Sequence, residues 1–169
     1  MIAALVVLPN SAPQASEVLQ NVAATIAVDD GILYARTDSS ETWVLGETAM
    51  RWRGANGTEE AYARDAGTTK RAADGTITRH PETIMVPNEL FRVGGMLERA
   101  KDVGLEETHD MYVLRWREHP GALTLYVDKE TYAPLRFVDR SPQNTFDETI
   151  REFKVLPDTP ANRRLLALQ

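Results

Sequence analysis

Residues 111–140 read MYVLRWREHPGALTLYVDKETYAPLRFVDR, and their reading decides the fold. Three short stretches alternate between apolar and polar positions, the period of a strand with one buried face. Over 111–118 the alternation puts Tyr112, Leu114 and Trp116 on one face. Over 122–128 it does the same for Leu123, Leu125 and Val127, and over 135–140 it pairs Leu135 with Phe137. The turn His119-Pro120-Gly121 and the connection Lys129 to Pro134 separate them, so consecutive strands run antiparallel.

The same pattern fills the middle of the chain. Residues 31–37 and 41–46 flank Asp38-Ser39-Ser40, a hairpin-type turn. Residues 48–53 alternate, with Met50 and Trp52 on one face and Arg51 and Arg53 on the other. Asn56-Gly57 is a strong hairpin signal, and Asp74-Gly75 marks another turn. Short strands at this spacing predict a meander to about Arg79. At the far end, 145–156 reads as one long strand whose alternation slips between Ile150 and Phe153, which predicts a bulge. Pro157 ends it, and a short helix follows from Thr159-Pro160-Ala161, with Leu165, Leu166 and Leu168 as its apolar side.

Two segments have a helical period instead. Ala15, Val18, Leu19, Val22, Ala23 and Ile26 form one stripe, predicting a helix over 12–27 that opens on a Ser11/Gln14 capping box. Leu90, Phe91, Val93, Met96, Leu97 and Ala100 form another over 88–103, interrupted by Gly94-Gly95 and stopped by Gly104. The glycine pair suits either close packing onto a sheet or a lid that bends. Runs of strands joined by tight turns exclude a parallel βαβ sheet. The expected class is α+β: a curved antiparallel sheet forming an unclosed, half β-barrel, with both helices covering its concave face.

The chain has 169 residues, enough for one domain with a sizeable core, here assigned to 11–169. Residues 1–10 open with the uncharged run MIAALVVL, too short to span a bilayer. It reads as the trimmed remnant of a transmembrane or signal segment, as a leading strand, or as a cytoplasmic start. The first is favoured and would place the domain outside the cytoplasm.

There is no cysteine, which excludes disulfides, thiolate metal sites and cysteine nucleophiles. The net charge is −6, so nucleic acid is not expected as a partner. Of 19 basic residues 15 are arginine, which reads as a compositional bias of the genome before it reads as anion binding. His80 and His119 lie in predicted turns and His109 in the acidic stretch Glu106 to Asp110, none with metal-ligand spacing, and no nucleophile elbow, phosphate loop or dinucleotide fingerprint occurs. No cofactor, metal or catalysis is expected.

What remains is an aromatic and aliphatic stripe. Met50, Trp52, Tyr112, Leu114, Trp116, Leu125 and Phe137 from the strands, with Leu90, Phe91, Met96 and Leu97 from the second helix, are the candidate lining of an apolar cavity for acyl chains. Ordinary core packing produces the same stripe. The parallel segments Arg51-Trp52-Arg53 and Arg115-Trp116-Arg117 read as tryptophan inward and arginine outward.

Residues 125–137, LYVDKETYAPLRF, also carry a resemblance: a strand, an Asp-x-x-Thr-x-x-Pro turn, and a strand opening Leu-Arg. In this the chain resembles the lipoprotein-carrier (LolA/LolB-like) superfamily, which includes RseB-like regulators of sigma factors and mycobacterial lipid-binding lipoproteins. The final EFKVLPDTPANRRLL is similar to actinobacterial extracytoplasmic domains that follow a single transmembrane helix. The resemblance implies a half-open barrel of about eleven antiparallel strands, no catalysis, and either of two roles. One is the extracytoplasmic domain of a membrane-anchored regulator or sensor with a regulatory protein partner. The other is a carrier of a hydrophobic or lipid ligand.

Overall fold

A computed structural model of the chain describes residues 13–26, 31–81, 103–118, 121–143 and 145–168. Helix α1 (Ala15–Ile26) is followed by β1 (Gly31–Thr37), β2 (Ser40–Leu45), β3 (Ala49–Gly54), β4 (Glu59–Ala63), β5 (Gly67–Arg71) and β6 (Ile77–His80). Then come β7 (Gly104–Glu107), β8 (Met111–Glu118), β9 (Gly121–Asp128), β10 (Pro134–Arg140) and β11 (Thr145–Pro157). A short helix, α2 (Pro160–Arg163), runs into a 3-10 turn, Arg164–Leu166.

All eleven strands form one antiparallel sheet in the order β6-β5-β4-β3-β2-β1-β11-β10-β9-β8-β7. Every neighbour is a sequence neighbour except β1 with β11, so two meanders are joined along one central seam. β1 is the middle strand and is buried from Gly31 to Ala35. Because side chains alternate, a strand buried at consecutive positions must be covered on both faces. Ala35 belongs to a cluster with Val18, Leu19 and Val22 of α1. Ile32 and Tyr34 belong to a second cluster with Trp43 and Leu166. The two helical segments therefore lie on opposite faces of the sheet.

This corrects the expected class. The protein is a mainly-β fold built on one large sheet, not an α+β domain whose helices cover a concave face. The described helices are α1, with 12 residues, and α2, with 4. α1 packs toward the β8–β11 half of one face, and α2 with its 3-10 turn packs on β1–β3 of the other. The predicted 88–103 helix, except Val103, and residues 1–10 lie outside the described residues.

Several local readings are met. α1 starts later than predicted, and its Val18, Leu19 and Val22 are fully buried, each contributing about 1.5–3 kcal/mol of apolar burial. The Asn56-Gly57 turn closes β3 onto β4: Gly57 takes φ +84°, and Gly54 N–H donates to Thr58 O at 2.8 Å. The bulge falls where the alternation slips, since Arg36 pairs with Glu152 but Thr37 pairs with Ile150. Skipping Arg151 there keeps both Ile150 and Phe153 on the α1 face.

One strand escaped the sequence reading. Gly104 opens β7, an edge strand pairing Leu105 with Leu114 and Glu107 with Tyr112. The run Gly-Leu-Glu-Glu has almost no β-propensity, and it becomes a strand because β8 offers it a ladder. His80 likewise ends β6, opposite Thr68, and does not sit in a turn.

Candidate functional site

Register places the predicted stripe. Tyr112 pairs with Val127, Leu114 with Leu125 and Trp116 with Leu123, and Leu125 pairs with Phe137. Partners across a ladder share a face, so Tyr112, Leu114, Trp116, Leu125 and Phe137 meet in one cluster. All are 7% exposed or less, and Val18, Leu19 and Val22 of α1 pack among them. Met50 and Trp52 share this face through their pairing with Val44 and Thr42. They sit on the other meander, half-buried, outside the cluster. Leu90, Phe91, Met96 and Leu97 lie outside the described residues.

Two details distinguish this cluster from a plain core. The Trp116 indole Nε1 is buried without a hydrogen-bond partner among the described residues. Tyr112 stacks on Tyr132, with ring centroids 6.0 Å apart, and burial, then the neighbouring Tyr132 and Glu107, push its phenol above the ordinary range. Tyr132 is presented by the turn that carries the family resemblance. Asp128 Oδ1 accepts from Glu130 N, Thr131 N and the Thr131 hydroxyl at 3.1, 2.8 and 2.8 Å, so the Asp-x-x-Thr pattern is a self-closing turn. These bonds hold the Asp128 carboxyl below its usual range. Tyr132, at φ +56°, swings back over the sheet.

The opposite face was misread. Arg51 points inward and is fully buried, while Arg115 and Arg117 are exposed as expected. The reason is the C-terminal segment, whose cover the alternation could not reveal. Arg51 Nη1 donates to Leu165 O at 3.1 Å and Nη2 to Glu59 Oε2 at 3.0 Å, while Nε has no partner among the described residues. Its guanidinium lies 5.2 Å from the Trp43 ring centroid. Glu59 also faces Arg53 at 3.2 Å and Arg71 at 3.7 Å, so one carboxylate serves three arginines. Tyr34, in the same cluster, donates to Glu41 at 2.9 Å; burial first, then this bond, push its phenol up to about 12.

Beside this cluster the same face holds a trough of about 520 Å³. Its floor is built from small residues at alternate strand positions: Ala49 on β3, Ala61 and Ala63 on β4, and Thr69 on β5. Leu45, Leu166 and Leu168 wall it, and Arg79 and Arg163 also line it. Sequence reasoning missed it, although Ala61-x-Ala63 on a strand signals a face stripped of bulk. Arg163 is held bidentate by Asp158 at 2.6 Å on both arms, which keeps the Asp158 carboxyl low. Among the described residues Arg79 has no ion-pair partner, no group of acidic and histidine side chains could hold a metal, and no helix is long and apolar enough to cross a membrane.

No family model matches the chain, and no curated protein does. Among solved structures it is similar to an uncharacterized conserved protein from Thermus thermophilus, at 17% identity and TM-score 0.56, over 89% of this chain and 92% of that one. It is also similar to a chain of the Pseudomonas aeruginosa MucA/MucB complex, at 16% identity and TM-score 0.51, over 91% of this chain and 61% of that one. The chain thus spans about three-fifths of the length of that neighbour. At these identities the likeness is one of fold alone.

Proposed function

We propose that this chain is a non-enzymatic extracytoplasmic domain that regulates by binding a membrane-anchored protein partner. The observation that supports this is the fold likeness to a chain of the MucA/MucB complex across 91% of the present sequence. The packing of α1 among Tyr112, Leu114, Trp116, Leu125 and Phe137 is consistent with it, because a stripe taken up by the chain's own helix leaves recognition to other surfaces. Photocrosslinking in the native cell tests it: a crosslinker carried at exposed positions of β6 and of β8 should capture one membrane-anchored protein from one face. Fusions of the domain to a reporter active only outside the cytoplasm should also be active. Inactive fusions, or crosslinks to no protein from either face, overturn the proposal.

A second reading, a carrier of lipids, is favoured by one observation, the unpartnered indole N–H of Trp116 inside an apolar cluster. Buried donors are almost always satisfied, and a ligand oxygen would satisfy this one. The sequence upstream of residue 1 in the gene bears on the choice. A transmembrane helix with a cytoplasmic segment excludes a diffusing carrier, whereas a signal peptide alone leaves the crosslinking to decide.

A further inference from the structure

From the trough on the face opposite α1, we infer a binding site for a linear anionic amphiphile, an apolar chain ending in a carboxylate or phosphate. It is independent of the regulatory reading, since a chain that recruits no partner would still carry the trough.

Size comes first. The trough encloses about 520 Å³, within the range of roughly 300–1,000 Å³ of small-molecule sites. Its shape follows from register. Ala49 pairs with Ala63, and Ala61 with Thr69, so small side chains stand side by side across three strands. A sheet surface with bulky residues at those positions would be flush. Leu45, Leu166 and Leu168 rise beside this floor. A strip of methyl groups beside a leucine wall takes an unbranched apolar chain and offers a polar one few partners.

Charge supplies the orientation. The chain carries a net −6, yet the two charged side chains lining the trough are both arginines, and Tyr62, paired with Met50, turns its phenol to the other face. Arg163 is already neutralised by Asp158. Arg79, on β6 and paired through its backbone with Thr69, brings a charge that nothing described offsets. A guanidinium beside an apolar slot matches a carboxylate or phosphate head, which it can grip bidentately. A cationic head would meet repulsion.

The wall is also secured from beneath, because the buried Arg51 side chain holds Leu165 O at 3.1 Å. Leu166 is thereby fixed between Trp43 and the trough. The site is therefore formed before any ligand arrives, which spares a ligand the entropy of ordering it.

The test uses the whole chain and three probes of equal chain length: dodecanoate, dodecyl phosphate and dodecyltrimethylammonium. Amide NMR shifts on titration report where each binds. The expected result is saturable binding of at least one anion, with shifts centred on Ala61, Ala63, Thr69 and Arg79 and none on Tyr112 to Trp116. The tighter of the two anions assigns the head group. Arg79→Glu should weaken binding by about tenfold or more, as loss of a charge-assisted pair with added repulsion requires. Ala61→Phe should abolish binding by filling the trough, and Ala61→Ser, which adds little bulk, guards against a folding defect. Equal binding of the cation, shifts on the α1 face, or affinity unchanged in Ala61→Phe overturns the inference. So does the absence of binding by either anion, including the case in which an acidic apolar peptide or a second copy of the chain moves these amides instead.

Discussion

Arg51 and Leu165 are 114 residues apart in sequence, and a 3.1 Å hydrogen bond from the guanidinium to the carbonyl joins them. The bond pins the last turn of the chain onto β3 and turns an arginine on a strand into a buried strut. It also gives the face opposite α1 its own small core, with Trp43, Tyr34 and Ile32 beneath Leu166.

Breaking that strut should loosen the C-terminal segment. Arg51→Ala leaves Leu165 O without its donor and opens a void at a fully buried site, a loss of about 3 kcal/mol. Arg51→Met should cost less, because it keeps most of the volume and Glu59 retains Arg53 and Arg71. Urea denaturation measures both. Trypsin should also cut faster at Arg163 and Arg164 in either variant.

This arginine shows where the sequence was legible and where it was not. Alternation is a local signal, and it located every described strand but β7, and the bulge at Ile150–Phe153. It separates two faces but does not say which is covered. On β8 the aromatic face is the buried one and Arg115 and Arg117 stay wet. On β3 the arginine face is covered, because a segment more than a hundred residues later returns over it. β7 was illegible for the same reason: Gly104–Glu107 owes its conformation to pairing with β8 and not to its own residues. Of the candidate lining, five residues converge, but around the side chains of α1. The trough was invisible because alanines at alternate positions carry no hydropathy signal and matter only once the register aligns them.

The α1 face should respond as a tightly packed core. Leu19→Ala and Leu114→Ala both truncate fully buried side chains and should each cost about 2–5 kcal/mol. Met50→Ala, half-buried on the same face but outside the cluster, should cost about 1 kcal/mol. Urea midpoints for the three variants check the ranking, and a Met50 effect equal to that of Leu114 would mean the two meanders share one core.

Alkaline stability should carry the signature of Tyr34. Its folded pKa is raised to about 12 by burial and by the bond to Glu41, against about 10 in an unfolded chain. Between those values the folded state holds the proton more tightly than the unfolded state does. Stability from this group is therefore complete below about pH 10 and is lost as pH rises toward about 12. Tyr34→Phe removes the group, so the variant should lose less stability over this window than the parent. Parallel curves for the two proteins would show that other groups account for the alkaline loss.

Gly67 should be the least replaceable of the turn glycines. It opens β5 at φ +72°, where an L side chain is strained, and a Cβ there would lie 2.3 Å from His80 O and 2.9 Å from Pro81 O. Those are backbone atoms at the end of β6 and just beyond it, and they cannot swing aside. Gly46 also has positive φ, +48°, but an added Cβ meets nothing within 4 Å. Gly46→Ala should therefore cost only the backbone strain, about 1 kcal/mol. Gly67→Ala adds a clash that only separation of β5 from β6 can relieve, so its cost should exceed that of Gly46→Ala clearly. The damage should also be local. Amide exchange in Gly67→Ala should speed up along β5 and β6, the pairs Thr69–Arg79 and Arg71–Ile77, while β8–β10 keep their protection. Because Arg79 rides on β6, the same variant should weaken binding of dodecanoate or dodecyl phosphate even under conditions where the domain remains folded. If β5 and β6 exchange as slowly as in the parent, the contact between Gly67 and His80 O is not what holds the edge of the sheet.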